Sequence, residues 1–160
     1  MPTVAADSDT RAVELGVKFK ADVNGQITGI RFYKSTTNTG THTGTLWRCS
    51  NTGCTTGTKL ATATFTGETG SGWQQVSFAT PVNITANTVY VASYHTDQGH
   101  YADDTGYFAT AGVDNPPLYA LPNGVSGPNG VYRYGSTSGF PTNTSQADNY
   151  WVDVVFKPTP

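Results

Sequence analysis

The stretch that decides the fold is Val13-Glu14-Leu15-Gly16-Val17-Lys18-Phe19-Lys20. Its apolar residues recur at every second position, whereas an α-helix would repeat them every three to four positions. Val13, Leu15, Val17 and Phe19 therefore share one face of a β-strand, and the polar residues share the other face. We predict a half-buried antiparallel strand whose apolar face covers the core and whose polar face meets solvent.

The same alternation recurs along the chain, and no helical periodicity does. Further strands are predicted at residues 27–33, 45–48, 60–66, 73–78, 89–94, 131–134 and 150–156. The segment between Tyr107 and Val131 is interrupted by two proline-rich turns, so a long structured loop is expected there. The pattern predicts an N-terminal arm over residues 1–11 and a single domain over residues 12–157. Its expected fold is all-β, an antiparallel β-sandwich, jelly-roll-like, with about eight to ten strands.

Length and charge exclude several functional classes. A chain of 160 residues can bury one core without a metal or several disulfides. Its nine Lys and Arg residues are spread along the sequence and the formal net charge is -2, so no nucleic-acid partner is expected. No apolar run approaches the roughly 20 residues that cross a bilayer, so no membrane insertion is expected.

The chain has two cysteines, Cys49 and Cys54, which flank the turn-forming residues 50–53. Cysteines on either side of a short turn approach closely enough for a bridge, so we predict a local disulfide. Two unpaired thiols or half of a metal site are the alternatives, but no second cysteine pair is present to complete a zinc site. A disulfide indicates an oxidising compartment and hence a secreted or cell-surface protein.

Polar and aromatic residues are concentrated in residues 94–107, directly after a strongly apolar predicted strand. Sugar sites combine aromatic rings, which stack on C–H faces, with polar side chains that hydrogen-bond to hydroxyl groups. Residues 132–134 and the polar loop after the second strand offer similar groups. The candidate carbohydrate-binding residues are His42, His95, His100, Tyr101, Asp103, Asp104, Tyr132, Arg133 and Tyr134. The alternative is that Tyr132 and Tyr134 form one face of a strand and have their hydroxyls satisfied inside the protein.

The three tryptophans, Trp47, Trp73 and Trp151, each lie in an apolar alternating segment. A tryptophan in such a segment is more often part of the core than a binding platform, so we assign these residues to the core. Trp151 is the exception, because it shares a strand face with Asp153. We expect this face to point outward, whereas Val152, Val154 and Phe156 on the other face pack inward.

A structural calcium site is a further expectation. Glu14 and Asp153 are predicted on the outer faces of the first and last strands, and pairing of these two strands would bring them together. Two carboxylates with backbone carbonyls are the oxygen ligands that Ca²⁺ prefers. One alternative is that these carboxylates face solvent and are neutralised by Lys18 or an arginine. The other is that the oxygen ligands come from Asp7, Asp9, Asp103 and Asp104. A zinc or copper site would use the three histidines, but the spacing of His95 and His100 is not a recognised ligand spacing.

No motif indicates catalysis. The sequence contains no G-x-S-x-G elbow, no H-E-x-x-H helix and no cysteine in a reactive motif. A glycosidase needs two carboxylates across a cleft, and most of the 11 Asp and Glu residues fall in turns or on predicted outer faces. We expect a protein that is not an enzyme.

Several separated motifs occur in one order along the chain. They are residues 14–19 (ELGVKF), 29–34 (GIRFYK), 38–44 (NTGTHTG), 72–76 (GWQQV), 90–95, 99–101, 130–135 (GVYRYG) and 149–156. In this order the chain resembles the bacterial domain family DUF4082 over nearly its whole length. The resemblance implies a module of a large secreted bacterial protein, beside immunoglobulin-like repeats and carbohydrate-active or other extracellular enzymes. The segment from Cys49 to Cys54 departs from the family's pattern.

The sequence therefore predicts a noncatalytic carbohydrate-binding module of a secreted bacterial multidomain protein. Its expected partners are a polysaccharide or glycan and the neighbouring domains. Two alternatives remain, a structural spacer or adhesion domain without a small-molecule ligand and a metal-dependent hydrolase.

Overall fold

The computed structural model describes residues 1–159, which form β-strands and loops and no helix. The strands are β1 (Val13–Ala21), β2 (Gly25–Lys34), β3 (His42–Cys49), β4 (Gly57–Thr64), β5 (Gly72–Ile84), β6 (Tyr90–Thr96), β7 (Val113–Asn115), β8 (Leu118–Ala120), β9 (Val131–Tyr134), β10 (Asn143–Thr144) and β11 (Val152–Pro158). They form two antiparallel sheets, one of eight strands and one of three. The prediction of an all-β sandwich is confirmed.

In the larger sheet the strand order is β10-β9-β1-β6-β3-β4. One edge of β1 pairs with β6, and the other edge is shared by β9 and then β8. The smaller sheet has the order β11-β2-β5, so β2 lies at its centre. The first and last strands therefore belong to different sheets. The pairing of these two strands, on which the expected calcium site depends, does not occur, because β11 pairs with β2 instead.

The main core lies between the two sheets. Leu15 of β1 and Ile30 and Phe32 of β2 are almost completely buried there. The Phe32 ring stacks on the Tyr94 ring of β6 with a centroid distance of 4.2 Å, which joins the two sheets. Removal of these apolar surfaces from water is the main force that holds the sheets together. The predicted apolar face of β1 is confirmed.

The other face of β1 is also buried, contrary to the prediction of a half-buried strand. Glu14 is 0% exposed and Lys18 is 3% exposed. Loops from the last third of the chain and the loop between β3 and β4 cover this outer face. The Lys18 ammonium donates hydrogen bonds to the carbonyls of Ser126 (2.7 Å) and Gly53 (3.1 Å). Strand alternation identifies the residues that share a face, but it does not reveal whether distant loops cover that face.

A second, smaller apolar cluster lies on this covered outer face. Trp47 is 5% exposed and packs with Cys54, Val91 and Val131. Its indole N–H donates a hydrogen bond to the Ser93 hydroxyl at 2.7 Å. The assignment of Trp47 to the interior is confirmed, although the cluster is separate from the core between the sheets.

The connection between β3 and β4 contains the predicted disulfide, which joins Cys49 and Cys54 across a Cα separation of 4.9 Å. The two strands pair antiparallel as a hairpin. The disulfide loop contacts the rest of the molecule through the hydrogen bond from Lys18 to Gly53. The bridge therefore shapes a loop that helps to cover the larger sheet.

The segment between Tyr107 and Val131, predicted as a long structured loop without regular elements, contains a short hairpin, β7–β8. Pro116 and Pro117 form its turn, where the lack of a backbone N–H is tolerated. β8 extends the larger sheet by pairing with the end of β1. The prediction failed because the prolines were interpreted as interrupting all regular structure, whereas they only separate two three-residue strands.

Candidate functional site

Two of the predicted sugar-binding histidines are buried. His42 is 0% exposed, and its Nδ1–H donates to the Glu68 carboxylate at 2.8 Å while Nε2 contacts the Asn38 side-chain amide at 2.8 Å. Burial lowers the pKa of His42, and Glu68 opposes this effect. His95 is 5% exposed and donates from Nε2 to the Gly135 carbonyl at 2.8 Å. Paired strands and loops enclose both rings, so the structure does not place them on an open surface where the sequence predicted glycan contact.

The predicted tyrosines come together with Tyr150 in one cluster. The ring centroids of Tyr101 and Tyr150 are 5.7 Å apart, and those of Tyr132 and Tyr134 are 5.5 Å apart. The rings meet edge to face, so they cover one another rather than present a platform. Tyr134 is the most exposed of them, and the Arg11 guanidinium lies 3.8 Å from its ring centroid. A glycan-binding role for this cluster stays a prediction.

His100 and Arg133 make contacts within the protein. His100 donates from Nδ1 to the Asp7 carbonyl at 2.9 Å, which fastens the N-terminal arm to the loop after β6. Arg133 is exposed, and its guanidinium donates to the Thr137 carbonyl at 3.3 Å. These contacts give both side chains a structural role within the folded chain.

Asp103 and Asp104 also contact the N-terminal arm. The backbone of Asp103 pairs with that of Val4. Burial, followed by the nearby carboxylates of Asp148 and Asp7, raises the pKa of Asp103 to about 7. Asp104 accepts hydrogen bonds from the Thr3 backbone N–H at 2.7 Å and from the Thr3 hydroxyl. Its other carboxylate oxygen accepts from the Trp151 indole N–H at 2.9 Å.

An open row of aromatic rings lies beside this contact. Trp73 is 39% exposed and Tyr107 is 41% exposed, and the partly buried Trp151 lies between them. The Trp151 ring centroid is 6.2 Å from that of Trp73 and 6.1 Å from that of Tyr107. The ring planes are inclined by 60° and 66°, so the row is angled rather than flat.

These rings line a cleft of about 200 Å³ between β11 and the β7–β8 hairpin. Its apolar floor reaches Phe19 and Val154 of the core. We call this surface the aromatic cleft. Its ring-bearing lining residues are Phe19, Trp73, Tyr107, Phe108, Tyr119 and Trp151, and its other polar lining residues are Asn115, Asn149 and Asp153. The cleft thus combines exposed rings with amide, hydroxyl and carboxylate groups.

Two neighbouring contacts shape the edge of the aromatic cleft. The Arg31 guanidinium lies 4.7 Å from the Trp73 ring centroid and covers part of that ring. Tyr119 lies on β8 of the hairpin, and its hydroxyl donates to the carboxylate of Asp22, just after the end of β1, at 2.9 Å. This hydrogen bond fixes the tyrosine ring. Both contacts restrict rings that would otherwise rotate freely in water.

The sequence did not identify the residues of this cleft as a site. The assignment of Trp73 to the core is wrong, because its neighbour Gln74 is buried and Trp73 therefore faces outward. Phe78 is buried in the same strand and lies an odd number of positions from Trp73, so alternation along the strand places the two side chains on opposite faces. The inward packing of Val152 and Val154 is confirmed. No local pattern connects Tyr107, Tyr119 and Trp151, which only the tertiary structure brings together.

The structure does not bring Glu14 and Asp153 together, as the expected calcium site requires. Val13 and Leu15 face the core, so Glu14 faces the opposite side of the larger sheet, whereas Asp153 is exposed on the outer side of the smaller sheet. Burial raises the pKa of Glu14, which favours the protonated form, and its Oε1 accepts a hydrogen bond from Ser93. Within residues 1–159 no group of three or more His, Cys, Asp or Glu side chains has a metal-binding arrangement.

The chain belongs to the family described as Domain of unknown function (DUF4082), whose model matches residues 1–152. This match confirms the resemblance found in the sequence motifs. A comparison with curated proteins finds no match. Among residues 1–159 there is no helix long and apolar enough to cross a membrane. The disulfide is consistent with an oxidising environment.

Proposed function

We propose that this DUF4082 domain is a noncatalytic carbohydrate-binding module that holds a glycan in the aromatic cleft. The observation that carries the proposal is the angled row of Trp73, Trp151 and Tyr107 at the mouth of a mainly apolar cleft that also contains amide, hydroxyl and carboxylate groups. A sugar ring offers an apolar C–H face surrounded by hydroxyls, and this surface provides the complementary groups.

The exposure of the rings supports a ligand rather than a purely structural role. Trp73 and Tyr107 each leave about 40% of their surface in water, although large apolar side chains usually gain stability by burial. Grouped exposed apolar residues with a polar rim are typical of binding surfaces. Because the rings also contact each other and Arg31, little side-chain entropy would be lost when a ligand binds.

The charge of the cleft favours a neutral glycan. Among the described lining residues Asp153 is the one charged side chain, and there is no lysine or arginine. The Arg31 guanidinium against the Trp73 ring at the cleft edge offsets this carboxylate, so a uronic acid or sulfated sugar would meet no net positive charge there. Asn115 and Asn149 offer both donors and acceptors, which suit the hydroxyl groups of a neutral sugar.

The setting that we propose is a secreted bacterial protein in which this domain works beside others. The Cys49–Cys54 disulfide supports an oxidising compartment, and the neighbouring domains are what the sequence resemblance to the family implies. In such a protein the domain would hold a neighbouring domain close to a polysaccharide.

The test is binding to a panel of insoluble polysaccharides and to an array of neutral oligosaccharides. Trp73→Ala and Tyr107→Ala should each weaken retention about tenfold or more, since an aromatic contact contributes on the order of 1.4 kcal/mol. Tyr134→Ala is the matched control, because this ring is 36% exposed but lies outside the aromatic cleft. It should bind like the wild type.

Two outcomes would contradict the proposal. If the wild-type protein is retained by none of these glycans, the domain acts as a spacer. If Tyr134→Ala abolishes retention and Trp73→Ala does not, the glycan binds at the tyrosine cluster instead.

A further inference from the structure

Trp151 lies at the centre of the aromatic cleft, and its backbone is tightly constrained. It has a φ of 55°, in the left-handed region that residues with a side chain rarely adopt. Its backbone N–H donates to the Asn149 side chain at 2.9 Å, and its carbonyl accepts from the Tyr33 N–H at 2.9 Å. These bonds fix the main chain but not the side-chain torsions of the indole, which packs between the rings of Trp73 and Tyr107.

Asp104 supplies the contact that fixes the indole. One carboxylate oxygen accepts the Trp151 indole N–H, and the other accepts both donors of Thr3. The backbone of Asp104 pairs with that of Asn149 through two hydrogen bonds of 3.0 and 3.1 Å. Burial opposes ionisation of this carboxyl, but the hydrogen bonds from Thr3, Trp151 and Val4 prevail and hold the pKa of Asp104 below its usual value.

The N-terminal arm holds Thr3 in place independently of Trp151. Val4 and Asp103 exchange backbone hydrogen bonds of 3.3 and 2.9 Å, and the Asp7 N–H donates to the Tyr101 carbonyl at 2.8 Å. A continuous set of contacts therefore runs from the arm through Asp104 to the central ring of the cleft. A hydrogen bond to a carboxylate is stronger than one between neutral groups, so it restricts the indole effectively.

We infer that Asp104 is a positioning residue, which the arm holds through Thr3 so that the Trp151 ring is preorganised for a ligand. The inference rests on the proposed function, because it assigns a role within the same cleft. It also assigns a function to Asp104 that differs from direct contact with a glycan. A ring fixed before binding loses less entropy when the ligand arrives, so loss of this contact weakens binding without removing any ring.

Asp104→Asn is the most informative variant. Both neighbours of the carboxylate, Thr3 and Trp151, are donors. An amide offers one oxygen and one NH₂ group, so in either orientation it places a donor against a donor. Thr3→Val removes only the hydroxyl contact and keeps the backbone N–H, so its effect should be smaller. Thr3→Ser retains the hydroxyl and should behave like the wild type.

The first readout is the indole N–H resonance of Trp151 in the ¹⁵N spectrum of the free protein, assigned by its loss in Trp151→Phe. We expect Asp104→Asn to shift this resonance and to speed its exchange with water about tenfold or more. Thr3→Val should cause a smaller change in the same direction. Thr58→Val is the matched control, since Thr58 is an exposed threonine on β4, and it should leave the resonance unchanged.

The second readout is the dissociation constant for cellohexaose, xylohexaose and mannohexaose as neutral probes. Asp104→Asn should weaken binding about tenfold and Thr3→Val about threefold, with an unchanged unfolding transition for Thr3→Val. An unaltered indole resonance in both variants overturns the inference, as does an altered resonance with unchanged affinity. If the wild type binds none of the probes or the panel glycans, the proposed function fails, while the indole resonance still decides whether Asp104 positions Trp151.

Discussion

Replacing Asp103 by asparagine should stabilise the protein at pH 8 and leave its stability at pH 4 unchanged. The carboxyl of Asp103 is partly buried, and its Oδ1 is buried without a hydrogen-bond partner. The nearby Asp148 is only 5% exposed, so its charge is poorly screened. Burial first, and then the carboxylates of Asp148, Asp7 and Asp104, raise the pKa of Asp103 from 3.8 to about 7.

The sign of the pH dependence follows from proton binding. Between pH 4 and pH 7 the folded state binds a proton at Asp103 that the unfolded state has released, so stability decreases as pH rises through this range. At about 1.4 kcal/mol for each pKa unit, the shift sets an upper limit of about 4 kcal/mol. Because the side chain is only partly buried, solvent screening should reduce this by about half, to ~2 kcal/mol.

Urea unfolding at pH 4, 6 and 8 measures the effect directly. Asp103→Asn should match the wild type at pH 4 and exceed its free energy of unfolding by about 2 kcal/mol at pH 8. Asp114→Asn is the control, because Asp114 is an exposed carboxyl, and it should stay within about 0.5 kcal/mol of the wild type. A difference between Asp103→Asn and the wild type that does not vary with pH would refute the reasoning.

Three further predictions concern stability. Leu15→Ala should lower the free energy of unfolding, measured with urea, by about 2–5 kcal/mol. Leu60→Ala is the control and should change it far less, because Leu60 is 36% exposed. Equal effects of the two changes would contradict the assignment of Leu15 to the core. Replacing both Cys49 and Cys54 by alanine should lower the free energy of unfolding by about 2 kcal/mol, because the loop that the disulfide closes is short. The variant should keep the circular dichroism of a β-sheet protein. Loss of the fold would show that the disulfide has a larger role. Burial lowers the pKa of Lys18 from 10.5 to about 8, so the stability of the wild type should increase as pH rises from about 8 to 10.5. Lys18→Met should lack this increase in thermal melts. The same pH profile in both proteins would contradict the lowered pKa.

Much of the sandwich could be predicted from local sequence. The alternation in residues 13–20 placed Leu15 and Phe19 on the core face, because neighbouring side chains of a strand point to opposite sides. The spacing of Cys49 and Cys54 allowed only a tight loop, so their bridge was also predictable. Membership of the DUF4082 family was apparent from the motif order.

The candidate site was much less predictable. The cluster in residues 94–107 suggested a binding loop, but His95 is enclosed and Asp104 contacts Thr3 and Trp151. Polar residues concentrated in a loop can serve to attach other segments, and composition does not distinguish that use from ligand binding. Trp73 and Tyr107 are far apart in the chain, so no local pattern connected them.

The sequence by itself determined most of the longer strands, the inward apolar face of β1 and the disulfide, because each depends on backbone geometry over a few residues. The tertiary structure alone decided that loops bury Glu14 and Lys18 and that Trp73, Tyr107 and Trp151 share one cleft. Those outcomes depend on how distant segments pack against each other. Such packing is set by the shape of the whole surface rather than by the periodicity of any one stretch.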